Sequence, residues 1–327
     1  MELGVWTERY RPKLLADVIG QEHVVERLKA WIRQGSIPNM LFAGRAGVGK
    51  TTIALCVAHE LYGDHWRENF LETNASDERG IDVVRGKIKE FARTKAMGNV
   101  PFKVVFLDEC DALTPEAQQA LRRTMERFSN VCRFILSCNY SSRLIEPIQS
   151  RTAVFRFRAL KEDEALIYLK NVTEKEKITA EEGGLQAVFE ISEGDLRKAT
   201  NILQASAALG AVTKEVVFDV ASRARPEDVK EMLNMALGGN FAEARKKLLQ
   251  LIISQGFSGE DLVKEIHRTL FESEIADEKK LKLLEIADEK KLRLLGLLGE
   301  TEFRLNQGGS PDIQLTALLA QLAAMKG

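Results

Sequence analysis

The residues Gly44-Arg45-Ala46-Gly47-Val48-Gly49-Lys50-Thr51 fit the spacing G-x-x-x-x-G-K-[ST], a loop built to hold phosphate. Its glycines let consecutive backbone N–H groups turn inward around phosphate oxygens. The helix that follows aims its positive dipole end at the same anion. In this pattern Lys50 reaches the β- and γ-phosphates of a nucleoside triphosphate, and Thr51 holds Mg²⁺; Thr52 belongs to the same site. A glycine-rich surface turn is the bland alternative, and the context opposes it. Residues 39–43 read as a short buried strand, and residues 52–62 carry Ile53, Ala54, Val57, Ala58 and Leu61 at helical spacing.

A second signal is Val104-Val105-Phe106-Leu107-Asp108-Glu109-Cys110-Asp111, where four apolar residues run into carboxylates. That places Asp108 at the carboxyl end of a buried strand, where ligands bind in open parallel sheets. Asp108 would ligate Mg²⁺ or accept from its bound water, and Glu109 would polarise the attacking water. Acidic residues after a strand also cap helices. Their position 58 residues after Lys50 favours the catalytic reading. Asn139, beyond a further strand beside that of Asp108, could position the lytic water through its amide, or simply make a turn. Two arginines are candidates to stabilise charge on the γ-phosphate. Arg151 lies just before the last strand and could act on a neighbouring subunit, and Arg197 follows Asp195, a candidate helix cap. Spacing alone leaves both as ordinary surface arginines.

The elements that must position these residues alternate short β-rich runs with helical patterns over the first 160 residues, as in a parallel α/β sheet with crossover helices. The strand candidates are 39–43, 70–74, 103–107, 133–137 and 153–157. After Leu160 the strand signal disappears. Residues 161–222 read as three or four short helices, and longer ones follow from 226. Arg223-Ala224-Arg225-Pro226-Glu227 reads as a linker, with Pro226 suited to a first helical turn. An eleven-residue segment, EIADEKKLKLL from Glu274, recurs from Glu285 with Arg293 in place of Lys282. Eleven residues come within about 20° of three helical turns, so the copy keeps its apolar face aligned. A tandem duplication that lengthens one helix is the simplest account, with a partner-binding extension as the alternative.

At 327 residues and 45% hydrophobic, the chain can bury a real core in two or three domains. No apolar run approaches the roughly 18 residues of a membrane span, and the N-terminus is no signal peptide. Cys56, Cys110, Cys132 and Cys138 form no C-x-x-C pair, which points to a reduced, cytoplasmic setting without structural zinc. The four histidines are scattered, so solvated or core roles are expected. Residues 1–160 hold 24 Lys/Arg against 19 Asp/Glu, a balance of +5, and residues 161–327 hold 23 against 29, a balance of −6. A basic front half suits a polyanion partner, though on its own it decides little.

Taken in order, the motifs resemble a known family. Trp6-Thr7-Glu8-Arg9-Tyr10-Arg11-Pro12, Asp17-Val18-Ile19-Gly20-Gln21, the phosphate loop, Asn74-Ala75-Ser76-Asp77-Glu78-Arg79-Gly80 and the Asp-Glu-Cys-Asp box come first. Ala120-Leu121-Arg122-Arg123-Thr124-Met125-Glu126, Ser137-Cys138-Asn139 and Glu146-Pro147-Ile148-Gln149-Ser150-Arg151 follow. Together they look like the AAA+ clamp loader ATPases, above all the archaeal replication factor C small subunits. The resemblance implies an AAA+ nucleotide-binding α/β domain at 1–160, a helical lid at 161–222 and an all-α C-terminal oligomerisation domain at 223–327. It implies ATP with Mg²⁺, and an adenine-side pocket of Tyr10, Arg11, Pro12, Val18 and Ile19. Asn139 looks like the first sensor, Arg151 like a finger supplied in trans, and Arg197 like the second sensor, acting in cis. The implied partners are a replication factor C large subunit, the sliding clamp PCNA, primer–template DNA and further small subunits in a ring or spiral. Three departures stand out: Arg45 where the family usually has proline, Thr152 where it has cysteine, and the duplication.

Residues 81–94 read as one helix with the apolar stripe Ile81, Val84, Ile88, Phe91 and Ala92. Arg85, Lys89 and Arg93 fall at i, i+4 and i+8 on an adjacent face. Such a row can follow a phosphate backbone, and the resemblance implies that this helix lines the channel for DNA; a solvated face is the alternative. No aromatic residues interleave the basic ones, so shape and charge rather than bases would be read. Two other classes remain open: another AAA+ DNA motor, such as a branch-migration helicase, and a subunit that binds ATP without hydrolysing it. Intact Lys50, Asp108, Glu109 and Arg151 oppose the latter. The absence of cysteine between Cys56 and Cys110 disfavours the bacterial loader type, with its zinc module there.

Overall fold

The structure, a computed structural model, describes residues 4–76, 84–98, 100–271 and 288–324. Its contacts divide the chain into two compact units, Met1–Val212 and Thr213–Gly327. In the first unit, β1 (Met40–Ala43), β2 (Phe70–Asn74), β3 (Lys103–Asp108), β4 (Cys132–Cys138) and β5 (Ala153–Arg156) form one parallel sheet. The order is β2-β3-β4-β1-β5. All five expected strands form, each within a residue or so of its expected ends. Among its helices are α1 (Trp6–Arg9), α2 (Glu22–Arg33), α3 (Lys50–Tyr62), α4 (Lys89–Arg93), α5 (Pro115–Arg127), α6 (Glu162–Glu176), α7 (Glu182–Ser192) and α8 (Leu196–Ala208).

The inner strands β1, β3 and β4 are largely apolar on both faces because helices cover both sides, as a parallel sheet requires. Side chains alternate with a period of two. Phe42, Phe106 and Phe155 therefore share one core with Leu28 of α2 and with Ile53 and Val57 of α3. Leu41, Val105, Leu107 and Leu136 share the opposite core with Ile88, Ala92 of α4 and Leu121 and Met125 of α5. Thr114 starts α5 sharply: its hydroxyl accepts from the Ala117 N–H, and Pro115 occupies the first turn, where a missing N–H costs nothing.

One expectation needs correction. The regular helix over 81–94 is not what forms among the described residues there. Val84–Ile88 make a π turn, and α-helix runs only over Lys89–Arg93. Gly86, inside the turn, weakens the α alternative because glycine stabilises helix least among residues that keep an N–H. The wider turn breaks the i, i+4 phase between Arg85 and Lys89. Ile81 lies outside the described residues.

The second unit is helical: α9 (Lys214–Val220), α10 (Pro226–Leu237), α11 (Phe241–Leu249), α12 (Gly259–Phe271), α13 (Asp288–Asn306) and α14 (Pro311–Ala324). Pro226 sits in the first turn of α10 as expected. Val229, Leu233, Leu248, Leu262, Leu298, Leu315 and Leu319 join in one core. The first copy of the duplication and the start of the second lie outside the described residues; from Asp288 the second belongs to α13. No described helix is long and apolar enough to cross a membrane. All four cysteines are free and buried.

Phe106 is fully buried in β3, between β2 and β4. Phe106→Ala should cost about 3–5 kcal/mol, read as a lower denaturant midpoint for the nucleotide-domain transition. A loss below about 1 kcal/mol would mean that α2 and α3 do not close on this face of the sheet as described.

Candidate functional site

The turn from β1 to α3 is shaped by close approaches. A Cβ on Gly44 would lie 2.7 Å from the Phe157 carbonyl, so only glycine fits beside the extension of β5. Gly47 has φ +71°, and a Cβ there would fall 1.8 Å from Asp195 Oδ1. Helix α3 begins after Gly49 with no side chain capping its N-terminus, which leaves its first N–H groups for a ligand. Lys50, only 8% exposed, donates to the Gly44 carbonyl at 2.6 Å, the Arg45 carbonyl at 2.7 Å and Asn139 Oδ1 at 3.2 Å. Burial pulls the Lys50 pKa below its ordinary value, and the nearby Asp108 carboxylate opposes that shift. Arg45 is exposed, so its departure from proline leaves the carbonyl contact in place.

The carboxyl ends of β3 and β4 supply the acidic side. Thr51 Oγ1 donates to Asp108 Oδ2 at 2.8 Å, and the Glu109 N–H donates to Asp108 Oδ1 at 2.9 Å. Glu109 has left-handed backbone, φ 51°, which costs a non-glycine residue roughly 1–2 kcal/mol and sets it apart from the strand direction. It lines the same cleft as Lys50, Thr51 and Asp108. Asp111 was not singled out from the sequence. Its carboxylate accepts from the Asn139 and Tyr140 N–H groups at 3.4 and 3.2 Å, tying the exit of β3 to that of β4. The expected amide of Asn139 faces Lys50 through its oxygen, which leaves its NH₂ group for another partner.

A hydroxyl and a carboxylate converging at Thr51 and Asp108 are hard oxygen donors of the kind Mg²⁺ takes. Among the described residues no cluster of three or more His, Cys, Asp or Glu could hold a metal by itself. The donor set fits an ion that completes its shell with water and phosphate oxygens.

Tyr10, Arg11, Pro12, Val18 and Ile19 line the other part of this cleft, whose free volume, open solvent included, is about 1080 Å³. The Tyr10 hydroxyl donates to Glu176 of α6 at 2.5 Å, and Arg9 pairs with the same oxygen at 2.6 Å. Helix α8 closes a further side. Its first N–H, from Leu196, donates to the Gly47 carbonyl at 3.1 Å, and Asp195 caps it by accepting from Lys198 N–H at 3.0 Å. Arg197 lines the cleft, as do Tyr168 and Thr200, which carry no motif and were not anticipated.

Other expected residues lie elsewhere. Arg151 precedes β5, whose Ala153 pairs with Met40 at the amino end of β1. It is thus separated from its own phosphate loop by the whole length of β1, roughly 13 Å at strand rise. Its guanidinium donates to the Pro147 carbonyl at 2.9 Å and pairs with Glu126 Oε1 of α5 at 2.8 Å. The same carboxylate oxygen holds Arg122 at 2.8 Å. Lys89 lines a groove with Arg123 and Arg127 of α5, and Arg93 is exposed. The Arg85 side chain lies outside the described residues.

Sequence models of three known families match this chain. "ATPase family associated with various cellular activities (AAA)" covers residues 40–160, "RCF1/5-like, AAA+ ATPase lid domain" 168–208, and "Replication factor C C-terminal domain" 224–321. A replication factor C small subunit from Methanococcus maripaludis is 51% identical over 322 residues, covering 98% of this chain and 99% of its own. One from Sulfurisphaera tokodaii is 51% identical over 319 residues, covering 98% and 95%. Among solved structures, the RuvB Holliday junction branch migration motor of Thermotoga maritima matches with TM-score 0.55 at 18% identity. It covers 81% of this chain and 91% of that one, and at this identity the likeness concerns the fold alone.

The Gly47–Asp195 approach makes a two-variant test. Gly47→Ala should weaken nucleotide binding in a titration, because the methyl collides with the carboxylate and left-handed alanine adds roughly 1–2 kcal/mol. Combining it with Asp195→Ala should recover part of the affinity. Absence of any recovery, with both proteins folded, would count against the steric account.

Proposed function

The chain belongs to the replication factor C small-subunit family of AAA+ ATPases, and on that premise we propose how its residues serve clamp loading. Several copies, with a large subunit, would form a ring or spiral that opens the sliding clamp PCNA and sets it on primer–template DNA. ATP binding at subunit boundaries would favour the gripping arrangement, and hydrolysis would release it. The consequence of hydrolysis is a change of shape, without chemistry on the DNA.

Within one subunit, the uncapped start of α3 and Lys50 would bind the phosphates, and the residues near Tyr10 and Val18 would enclose the adenine. Thr51 and Asp108 would hold Mg²⁺, which neutralises charge on the β- and γ-phosphate oxygens. Glu109 would take the proton of the attacking water, Asn139 would orient that water, and Arg197 would meet the γ-phosphate from the lid.

The observation that carries this reading is the separation between Arg151 and its own cleft. Lys50, Thr51, Asp108 and Glu109 gather at the carboxyl ends of the strands, and Arg151 stands at the amino end of β5. A guanidinium there serves a phosphate only in another subunit, so one chain carries two halves of a site that meet between copies. Lys89 and Arg93, with Arg85, would contact the DNA backbone without reading bases.

Glu109→Gln keeps size and hydrogen bonding but cannot take a proton. ATP should still bind while single-turnover hydrolysis falls by on the order of 10²-fold or more. A near wild-type turnover rate removes Glu109 from the chemistry.

Mixing Arg151→Ala with Lys50→Ala subunits tests the shared site. Each parent assembly should hydrolyse ATP poorly, the first by about 10³-fold. Mixed assemblies contain boundaries with an intact Lys50 facing an intact Arg151, so activity should partly return. If mixed assemblies form and nothing returns, Arg151 does not act in trans.

A further inference from the structure

Tyr168 and Thr200 enter the cleft from α6 and α8, and the geometry of their hydroxyls leaves little freedom. Thr200 is 1% exposed, and its Oγ1 donates to the Leu196 carbonyl one turn earlier in α8 at 2.6 Å. Tyr168 Oη lies 3.0 Å from the same Oγ1. A threonine hydroxyl owns one proton. With that proton committed to the Leu196 carbonyl, the bond between the two hydroxyls must run from Tyr168 to Thr200. The phenol proton is then spent as well, and the Tyr168 oxygen has only lone pairs to offer anything else in the cleft. Burial pushes the Tyr168 pKa up, so the phenol keeps its proton and the arrangement does not reverse through ionisation.

The position along the cleft follows from α8. The helix starts at the phosphate loop, where Leu196 N–H meets the Gly47 carbonyl. Farther along, Gln204 Oε1 accepts from the Trp6 N–H at 3.1 Å, in the short helix that leads to Tyr10. Thr200 lies between these points, four residues and roughly 6 Å of helix beyond Leu196. That distance carries from the loop toward the Tyr10 side of the cleft, where the proposed reading puts the sugar and base.

We propose that Tyr168 is a specificity-determining residue whose hydroxyl, fixed as an acceptor by Thr200, receives a hydrogen bond from a donor on the nucleoside part of the substrate. The donor is a ribose hydroxyl or the 6-amino group of adenine. The proposal rests on the reading that this cleft binds ATP. A 6-oxo purine would set one acceptor against another, the kind of mismatch by which hydrogen-bonding sites reject near-isosteres.

The test titrates the purified full chain with ATP, purine riboside triphosphate, inosine triphosphate, 2′-deoxy-ATP and 3′-deoxy-ATP by calorimetry, with Mg²⁺ present. Tyr168→Phe should weaken ATP by about 3- to 10-fold, the worth of one neutral hydrogen bond. It should leave unchanged the affinity for the analogue in which the donor is simply deleted, purine riboside triphosphate or the matching deoxy-ATP, whose wild-type affinity should already be lower by that factor. Loss of the effect with purine riboside triphosphate identifies the 6-amino group, and loss with a deoxy analogue identifies the matching ribose hydroxyl. Thr200→Val keeps the shape of the side chain but removes the acceptor for the phenol proton. Tyr168 is then free to donate, so the preference for donor-bearing nucleotides should shrink. Tyr168→Phe weakening every nucleotide alike, or none, overturns the proposal, and so does an unchanged preference in Thr200→Val. Wild-type protein that binds no ATP would instead overturn the reading of the cleft itself.

Discussion

A buried ammonium must be surrounded by oxygen, and most of the nucleotide domain is arranged around that requirement at Lys50. Removing a charge from water costs several kcal/mol unless partners replace the lost hydration. Lys50 recovers it from two loop carbonyls and the Asn139 side chain. The carbonyls point inward only because the loop turns tightly at glycines, one of which lies too close to Phe157 for any side chain. Asn139 arrives only because β4 lies directly beside β1. Chain order would not make them neighbours, since β2 and β3 intervene; the crossover helices bring them together.

Sheet direction does the rest. With all strands parallel, every carboxyl end faces the same way, so the phosphate loop, Asp108 and Asn139 reach one cleft from β1, β3 and β4. The amino ends collect at the other edge, and Arg151 belongs there. The lid segment joins the cleft through contacts with the loop itself: Leu196 hydrogen-bonds the Gly47 carbonyl, and the Asp195 carboxylate occupies the space a side chain at 47 would need. Loop and lid helix thus constrain each other directly.

The parts legible in the sequence were those whose chemistry depends on neighbours along the chain. The strands announced themselves as apolar runs, and the phosphate loop and the acid pair by residue type and spacing, because a strand end or a tight turn is a local event. Tyr168, Thr200 and Asp111 were not legible. Their roles come from side chains meeting across separate elements, and a tyrosine in a helix looks like any core aromatic. The Asp111 carboxylate had a signal in its acidic box, but nothing local tells that it reaches two N–H groups just beyond another strand. The π turn at Val84–Ile88 escaped for a related reason. Apolar spacing suited an α-helix, and only Gly86 hinted that the backbone would leave that path.

Glu126 receives two guanidinium groups on one oxygen, one from its own helix and one from Arg151. Both members of the Arg151 pair are 40% exposed, and such pairs are worth about 0–1 kcal/mol. The arginine is therefore held on the Glu126 carboxylate by something easily surrendered. If Arg151 serves a neighbouring copy, as proposed, a stronger restraint would have to be broken each time copies came together, and a free side chain would have to be immobilised from scratch. An intermediate hold would then let the docking edge exist before its counterpart arrives, and would let partners separate without leaving an unpaired charge, because the carboxylate waits where it was.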